Sequence, residues 1–323
     1  MQIETISYGG WANCYRLQDD DLEVIVTADI GPRIIHYGFV GGDNMLKQYS
    51  HQQGLTGGDE YRSYGGHRLW HAPENDPRSY QPDNDPVDHF ELDNVHYFVP
   101  QVEKETGIQK QLSIQFERGV LTINHTMTNR GLWPIELSPW ALTVVRPGGV
   151  AIMPLPPHQS HQLQKLPTHS LSLWSYTSLS DPRLHFGDKY ILVAQSDRSA
   201  SPLKIGLHVI PEYVWSVGWL AYVNNGTMFV KSFHPAEDDA RYPDLGSQVE
   251  VFTNADMLEL ETLGQLKTIL PEESIVHREY WSLHQNIPMP GSDADIGQNI
   301  LPMIRETHPT VGRRKTGRLR PMG

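Results

Sequence analysis

Two glutamates on one predicted strand are the first candidates for chemistry. Glu259 and Glu261 lie in the run Leu258-Glu-Leu-Glu-Thr-Leu-Gly264, where alternation places both carboxylates on one face of a strand and the leucines on the other. Neighbouring carboxylates raise each other's proton affinity, which suits a general base near neutral pH. The alternative is a solvent-facing strand with ordinary acidic residues. Apolar residues in 249–252 and 268–270 favour a central strand instead.

A second candidate is the glycine-led motif Gly65-Gly-His-Arg-Leu-Trp-His-Ala-Pro-Glu74. A double glycine lets the backbone approach a ligand closely. Arg68 can donate in-plane hydrogen bonds to sugar hydroxyls, and Trp70 offers a flat apolar face to the C–H side of a ring. Metal binding by His67 and His71 would require a helix, which the glycines and the proline disfavour, so we predict no metal site. A structural role for either histidine stays open.

Other candidates are single polar or aromatic residues in apolar strands. Lys204 and Lys231 are each either the polar member of an ordinary alternation or part of a cleft beside the glutamates. Trp140, Trp215 and Trp219 add aromatic surface whose default role is core packing. The sequence has no P-loop, no Gly-x-Gly-x-x-Gly and no Gly-x-Ser-x-Gly motif, so we predict no cofactor.

The elements that must position these residues are predicted to be strands. Many short runs alternate apolar and polar residues, and turn residues separate them. The clearest hairpin joins residues 215–223 to 227–233 through Asn224-Asn-Gly226. No regular alternation of strand and amphipathic helix occurs, so the sequence predicts one all-β domain over 1–284. Residues 49–90 are predicted to be a long functional loop system, and 285–323 an irregular basic tail.

Composition narrows the function classes. The chain has 323 residues, 38 % of them hydrophobic, a net charge of −12 and a single cysteine, Cys14. These values predict a soluble, reduced, cytoplasmic protein with no disulfide framework and no nucleic-acid footprint over its body. No apolar run is long enough for a membrane helix. The tail is basic, which is typical of a solvated terminus and leaves contact with RNA or an anionic surface as the alternative.

Several motifs resemble the galactose-mutarotase-like superfamily, the aldose 1-epimerases and their relatives. The runs Ile30-Gly-Pro-Arg-Ile-Ile-His36 and Gly42-Asp-Asn-Met-Leu46 resemble its opening strands, and Gly66-His67 resembles its first active-site histidine loop. The run 258–264 resembles the strand that carries the general-base glutamate. The marks of an uncharacterised branch of this superfamily are Gly65-Gly-His-Arg-Leu-Trp70, Ser138-Pro-Trp-Ala-Leu-Thr143, Asp181-Pro-Arg183 and Lys204-Ile-Gly206.

The resemblance implies a large antiparallel β-supersandwich with a sugar site in a central cleft. It places Glu261 at the general-base position and His67 near the imidazole that supports acid catalysis. Trp140 stands where the epimerases have the acid histidine, so the sequence departs from the family at a catalytic position.

The leading hypothesis is a protein that binds a small-molecule carbohydrate and interconverts its anomers, as an aldose 1-epimerase-like isomerase without a cofactor. Ring opening would use general acid–base catalysis by Glu261 and His67. The alternatives are a non-catalytic sugar-binding module, and a glycoside hydrolase or lyase that uses the same carboxylates. The expected substrate-binding residues are Arg68, Trp70, His71, Trp140, Lys204, Lys231 and Glu259.

Overall fold

The structure is a computed structural model, and it describes residues 2–156, 158, 160–162, 165–167, 169–197, 201–208, 217–236 and 240–307. Trp215 and the basic residues beyond 307 lie outside the described residues. None of the helices within those ranges is long and apolar enough to cross a membrane.

The described chain is built from strands that follow one another through short turns. Their bounds in chain order are β1 Gln2–Tyr8, β2 Trp11–Asp19, β3 Leu22–Thr27, β4 Arg33–Phe39, β5 His67–Ala72, β6 Asp88–Leu92, β7 Val95–Val99, β8 Ile108–Glu117, β9 Val120–Asn129, β10 Ile135–Val145, β11 Val150–Pro154, β12 Leu171–Leu173, β13 Leu184–Phe186, β14 Tyr190–Ala194, β15 Leu203–Leu207, β16 Gly218–Asn224, β17 Thr227–Phe233, β18 Val249–Thr253, β19 Leu258–Leu263, β20 Lys267–Ile269 and β21 Ser274–Gln285.

These strands form two large antiparallel sheets that pack face to face, so the predicted all-β sandwich is confirmed. The first sheet has the order β1-β2-β3-β4-β5-β10-β19-β18-β15-β12, with β20 paired to β10, and the second has the order β13-β14-β11-β16-β17-β21-β9-β8-β7-β6. The main hydrophobic core lies between them, where leucines, isoleucines and valines of the first sheet meet Tyr222, Phe229 and Trp281 of the second. The predicted hairpin is confirmed for β16 and β17, which pair through Asn225 and Gly226 at positive φ.

The long loop predicted for 49–90 is wrong in one respect, because β5 is a central strand of the first sheet, between β4 and β10. Every residue of β5 is buried, so both faces of this strand are covered. Its polar residues are therefore buried too, and do not lie on a solvent-exposed face. The preceding glycines, Gly65 and Gly66, adopt φ of +87° and +68°. They let the backbone approach the carbonyls of Lys47 and Ile34, so here they serve chain packing rather than a ligand.

The segment after β21 is helical where the sequence predicts an irregular tail. Asp293–Asp295 and Leu301–Thr307 are α-helical, and a π-helical turn, Ile296–Ile300, joins them. Three isoleucines of this segment pack against the face of the second sheet that points away from the main core: Ile296, Ile300 and Ile304.

Candidate functional site

Strand register brings most of the predicted site residues onto one face of the first sheet. Leu142 of β10 pairs with Arg68 on one side and Glu261 on the other, and Glu261 pairs in turn with Glu250 of β18. Directly paired residues of antiparallel strands point to the same face. This face, which we call the outer face, points away from the second sheet, and it also carries Trp70, Trp140, Lys204 and Glu259.

Glu261 is held by two donors at one of its oxygens. The indole Nε1 of Trp140 donates to Glu261 Oε2 at 2.7 Å, and Lys204 Nζ donates to the same atom at 2.9 Å. Lys204 Nζ also lies 2.8 Å from Glu250 Oε2. The other oxygen of the buried Glu261 carboxylate, Oε1, has no hydrogen-bond partner among the described residues. No described group therefore uses the lone pairs of this oxygen.

Arg68 presents free donors beside this carboxylate. Its Nη2 donates to Glu259 Oε1 at 3.0 Å, and its guanidinium lies 4.6 Å from the ring centroid of Trp70. Its Nε and Nη1 atoms are buried and have no partner within the part of the chain that the structure describes. A buried donor without a partner costs free energy, so these two atoms mark a place where a ligand oxygen would be stabilised.

Aromatic rings surround the charged groups. The rings of Trp70 and Trp140 meet edge to face at 5.5 Å, and Trp70 also contacts Tyr61 and Tyr80. Lys204 Nζ lies 4.4 Å from the ring centroid of Trp140 and 4.7 Å from that of Trp174. Flat apolar faces next to hydrogen-bonding groups are what a sugar ring requires.

The charges on the outer face do not balance. Three buried carboxyl groups, Glu250, Glu259 and Glu261, face two cations, Arg68 and Lys204. Burial raises the pKa of Glu250 well above its ordinary value, and the charges of Glu261 and Asp244 raise it further, although Lys204 lowers it. Burial also raises the pKa of Glu259. Burial therefore favours the protonated forms of Glu250 and Glu259.

His67 lies on the opposite face, so its expected partnership with Glu261 is wrong. His67 is directly paired with Thr143, one position away from the row of Leu142, and a shift of one residue reverses the face. Its Nδ1 lies 2.8 Å from Thr143 Oγ1 and its Nε2 lies 2.7 Å from Nε2 of His125 in the second sheet. Burial, then His125 and Lys231, hold the pKa of His67 well below its usual range.

Lys231 and His71 also lie away from the outer face, so the structure does not bring these two predicted substrate-binding residues together with Glu261. Lys231 Nζ lies between the sheets, 2.9 Å from Glu279 Oε1 and 2.8 Å from Thr143 Oγ1. His71 Nε2 lies 3.2 Å from Glu103, which also pairs with Lys110. Alternation along β5 sends His67 and His71 inward and Arg68 and Trp70 outward.

The group between the sheets is a closed hydrogen-bond network, which we call the inter-sheet network. His125 Nδ1 faces the carbonyl oxygen of His277 at 3.0 Å and must donate to it, so His125 Nε2 accepts from His67 Nε2. His67 Nδ1 then accepts from the Thr143 hydroxyl. His67, His125 and Glu279 place ligand atoms within 4.8 Å of one another, but the Lys231 ammonium already pairs with Glu279. These contacts suit a proton network better than a metal ion.

Three residues of the outer face were missed by sequence reasoning. Glu250 is the polar member of the run Val249-Glu-Val-Phe252, and its pairing with the Glu259–Glu261 strand across a short turn is a signal that could have identified it. Trp174 and Tyr176 follow β12 in a stretch without strand alternation, so nothing local indicated their position.

Comparisons with known proteins agree with this architecture. No family model and no curated protein sequence matches the chain. A galactose mutarotase-like protein from Clostridium acetobutylicum aligns over 88 % of this chain and 98 % of its own, with 12 % identity and a TM-score of 0.54. A provisionally named aldose 1-epimerase from Escherichia coli K12 aligns over 84 % and 99 %, with 10 % identity and a TM-score of 0.54. A galactose mutarotase-like protein from Lactobacillus casei aligns over 84 % and 100 %, with 8 % identity and a TM-score of 0.52.

Proposed function

We propose that this chain, which has the galactose-mutarotase-like fold, binds a carbohydrate on the outer face of its first sheet and interconverts the anomers of that sugar. One observation carries the proposal. Glu261 Oε1 and the Nε and Nη1 atoms of Arg68 are buried polar atoms without partners in the described chain. The indole of Trp70 lies against the Arg68 guanidinium, and the indole of Trp140 donates to the other oxygen of Glu261.

The proposed chemistry is ring opening by an acid and a base. Glu261 Oε1 accepts the proton of the C1 hydroxyl, the C1–O5 bond breaks, and O5 receives a proton as the aldehyde forms. Rotation about C1–C2 and the reverse steps give the other anomer. Glu250 supplies the proton in place of His67, because Glu250 shares the face of Glu261 and burial raises its pKa well above the ordinary value.

Two glutamates in different protonation states suit this reaction. A base must be ionised and an acid must be protonated at the same pH, which requires environments that separate their pKa values. Lys204 and Trp140 both donate to Oε2 of Glu261 and orient its carboxylate. Glu250 is buried next to that charge, which opposes its own ionisation.

A non-catalytic sugar-binding module is the second candidate. The observation in its favour is that no imidazole of the described chain joins Glu261 on the outer face, since His67 belongs to the inter-sheet network. In that case Glu261 and Arg68 would only bind hydroxyl groups.

Exchange NMR on glucose and galactose, combined with calorimetry, distinguishes the candidates. We expect the wild type to accelerate exchange between anomers and Glu261→Gln to lose at least about a hundredfold in rate, because the amide cannot accept the proton. Affinity should change little, since the amide keeps its shape. Glu250→Gln should also lower the rate. Binding without accelerated exchange would establish the second candidate, and absence of binding to either sugar would contradict both.

A further inference from the structure

The wall of the site beyond Lys204 consists of two aromatic residues that the proposed ring-opening reaction does not use. Ser172 of β12 pairs with Gly206, which belongs to the same row as Glu250 and Glu261. Trp174 lies two residues further along and is half-buried, and Tyr176 is 43 % exposed. The contact of Trp174 with Lys204 places Trp174 at the outer face, at the edge of the first sheet, and Tyr176 lies in the turn that follows it.

A tight turn fixes the backbone that carries these two rings. The backbone N–H of Thr177 donates to the carbonyl of Trp174 at 2.8 Å. The Thr177 hydroxyl donates to the carbonyl of Lys204 at 2.6 Å and accepts from its backbone N–H at 3.0 Å. A backbone segment that is fixed before a ligand arrives loses little conformational entropy when the ligand binds.

Lys204 separates this wall from the aromatic group at Trp70. Its ammonium lies between the rings of Trp140 and Trp174, within 4.7 Å of both centroids, and its contacts with the carboxyl groups of Glu250 and Glu261 hold it there. A sugar ring cannot enter the space that the ammonium fills. Trp70 lies on β5 and contacts Trp140 on one side of the ammonium, whereas Trp174 follows β12, at the other side of it.

We propose that the outer face has two sugar subsites, one at Trp70 and Arg68 and a second at Trp174 and Tyr176, and that its ligand is a glycoside of at least two sugar rings. The proposal rests on the proposed carbohydrate-binding function and extends it from a single sugar to an oligosaccharide. Glu261 lies between the two subsites, so the ring with the free C1 hydroxyl would place that hydroxyl at Glu261.

The experiment is a calorimetric comparison of single sugars with disaccharides. The probes are glucose and galactose against maltose, cellobiose and lactose, with the full chain. We expect at least one disaccharide to bind the wild type about tenfold or more tightly than either single sugar. Tyr176→Ala should weaken the binding of that disaccharide about threefold to tenfold, the usual range for loss of an aromatic contact. It should leave the affinity for single sugars unchanged.

Two further variants secure the interpretation. Trp174→Ala should act like Tyr176→Ala, but it also removes the contact with Lys204, so Tyr176→Ala is the primary measurement. Trp133→Ala is the matched control, because that indole is 78 % exposed and follows β9 at another part of the surface; it should change no affinity.

The outcomes separate the two proposals. If disaccharides bind no more tightly than single sugars, or if Tyr176→Ala weakens both equally, the second subsite is overturned while carbohydrate binding stands. If none of the five sugars binds the wild type, the proposed function itself fails.

Discussion

The residue that departs from the epimerase pattern has a definite role in the structure. Trp140 does not merely fill space: its indole N–H donates to Glu261 Oε2, and its ring packs against both Trp70 and Lys204. A histidine at this position could donate a proton to a substrate, whereas an indole only donates a hydrogen bond. In the proposed mechanism, Trp140 therefore orients the base and leaves the acid to another group.

Replacing this indole with a phenyl ring tests that role. Trp140→Phe keeps an aromatic ring but removes the donor to Glu261, and a hydrogen bond to a charged group contributes about 1.5–3 kcal/mol. We expect anomer exchange to slow by about tenfold or more, with sugar affinity nearly unchanged. Exchange NMR and calorimetry measure the two quantities separately.

Trp219→Phe is the matched control, because Trp219 belongs to the second sheet and packs near the C-terminal helix. It should leave the exchange rate unchanged. An exchange rate equal to that of the wild type in Trp140→Phe would remove Trp140 from the mechanism.

At the scale of elements, β5 and β10 each serve two sites at once. Their outward residues form the candidate sugar site, and their inward residues, His67 and Thr143, join β9, β17 and β21 in the inter-sheet network. Burial lowers the pKa of His125 and of His277 to about 3. Both rings are therefore neutral in the folded protein over the whole physiological range.

This network makes stability depend on pH in a definite direction. The ordinary pKa of histidine is 6.5 and the folded value for His125 is about 3, so below pH 6.5 the unfolded state binds more protons. The contribution of each such histidine to the free energy of unfolding is fully present above pH 6.5. It is lost as the pH falls, by about 1.4 kcal/mol per pH unit. Glu250 and Glu259, whose pKa values are raised, act in the opposite direction.

A histidine variant isolates the contribution of the network. We expect the free energy of unfolding, measured by urea denaturation between pH 6.5 and 4.5, to depend less steeply on pH in His125→Gln than in the wild type. The difference in slope should correspond to about one proton. The exposed His185→Gln should keep the slope of the wild type. Equal slopes for His125→Gln and the wild type would show that His125 is not held neutral.

At the scale of the whole molecule, the C-terminal helical segment is part of the folded unit. Ile296 and Ile300 are fully buried and pack with Trp219, Val223 and other residues of the second sheet. The segment covers the face of that sheet that the first sheet leaves open.

Ile300→Ala should therefore destabilise the protein by about 2–5 kcal/mol, the range for a buried isoleucine replaced by alanine. Gln298→Ala, two positions away and exposed, should change the free energy of unfolding by about 0.5 kcal/mol or less. Thermal and urea denaturation of both variants measure the difference. A change below about 1 kcal/mol in Ile300→Ala would show that the segment adds little to the fold.

Local alternation determined much of the site. A period of two along a strand places Glu259 with Glu261, and Arg68 with Trp70, whatever the rest of the chain does. Those pairs could be predicted from the sequence, and the structure keeps both. The all-β architecture could likewise be predicted, because turn residues and short alternating runs are local properties.

Only the tertiary structure decided which faces belong together. Whether His67 or Arg68 shares a face with Glu261 depends on how β5 and β19 register against β10, and a shift of one residue exchanges the two. No local pattern records that register. The contact between Lys204 and Trp174 depends on pairing between β12 and β15, about thirty residues apart in the chain. For that reason the sequence could identify the glutamates, but only the packed sheet could separate Glu261 from His67 and bring Glu250 and Trp174 to it.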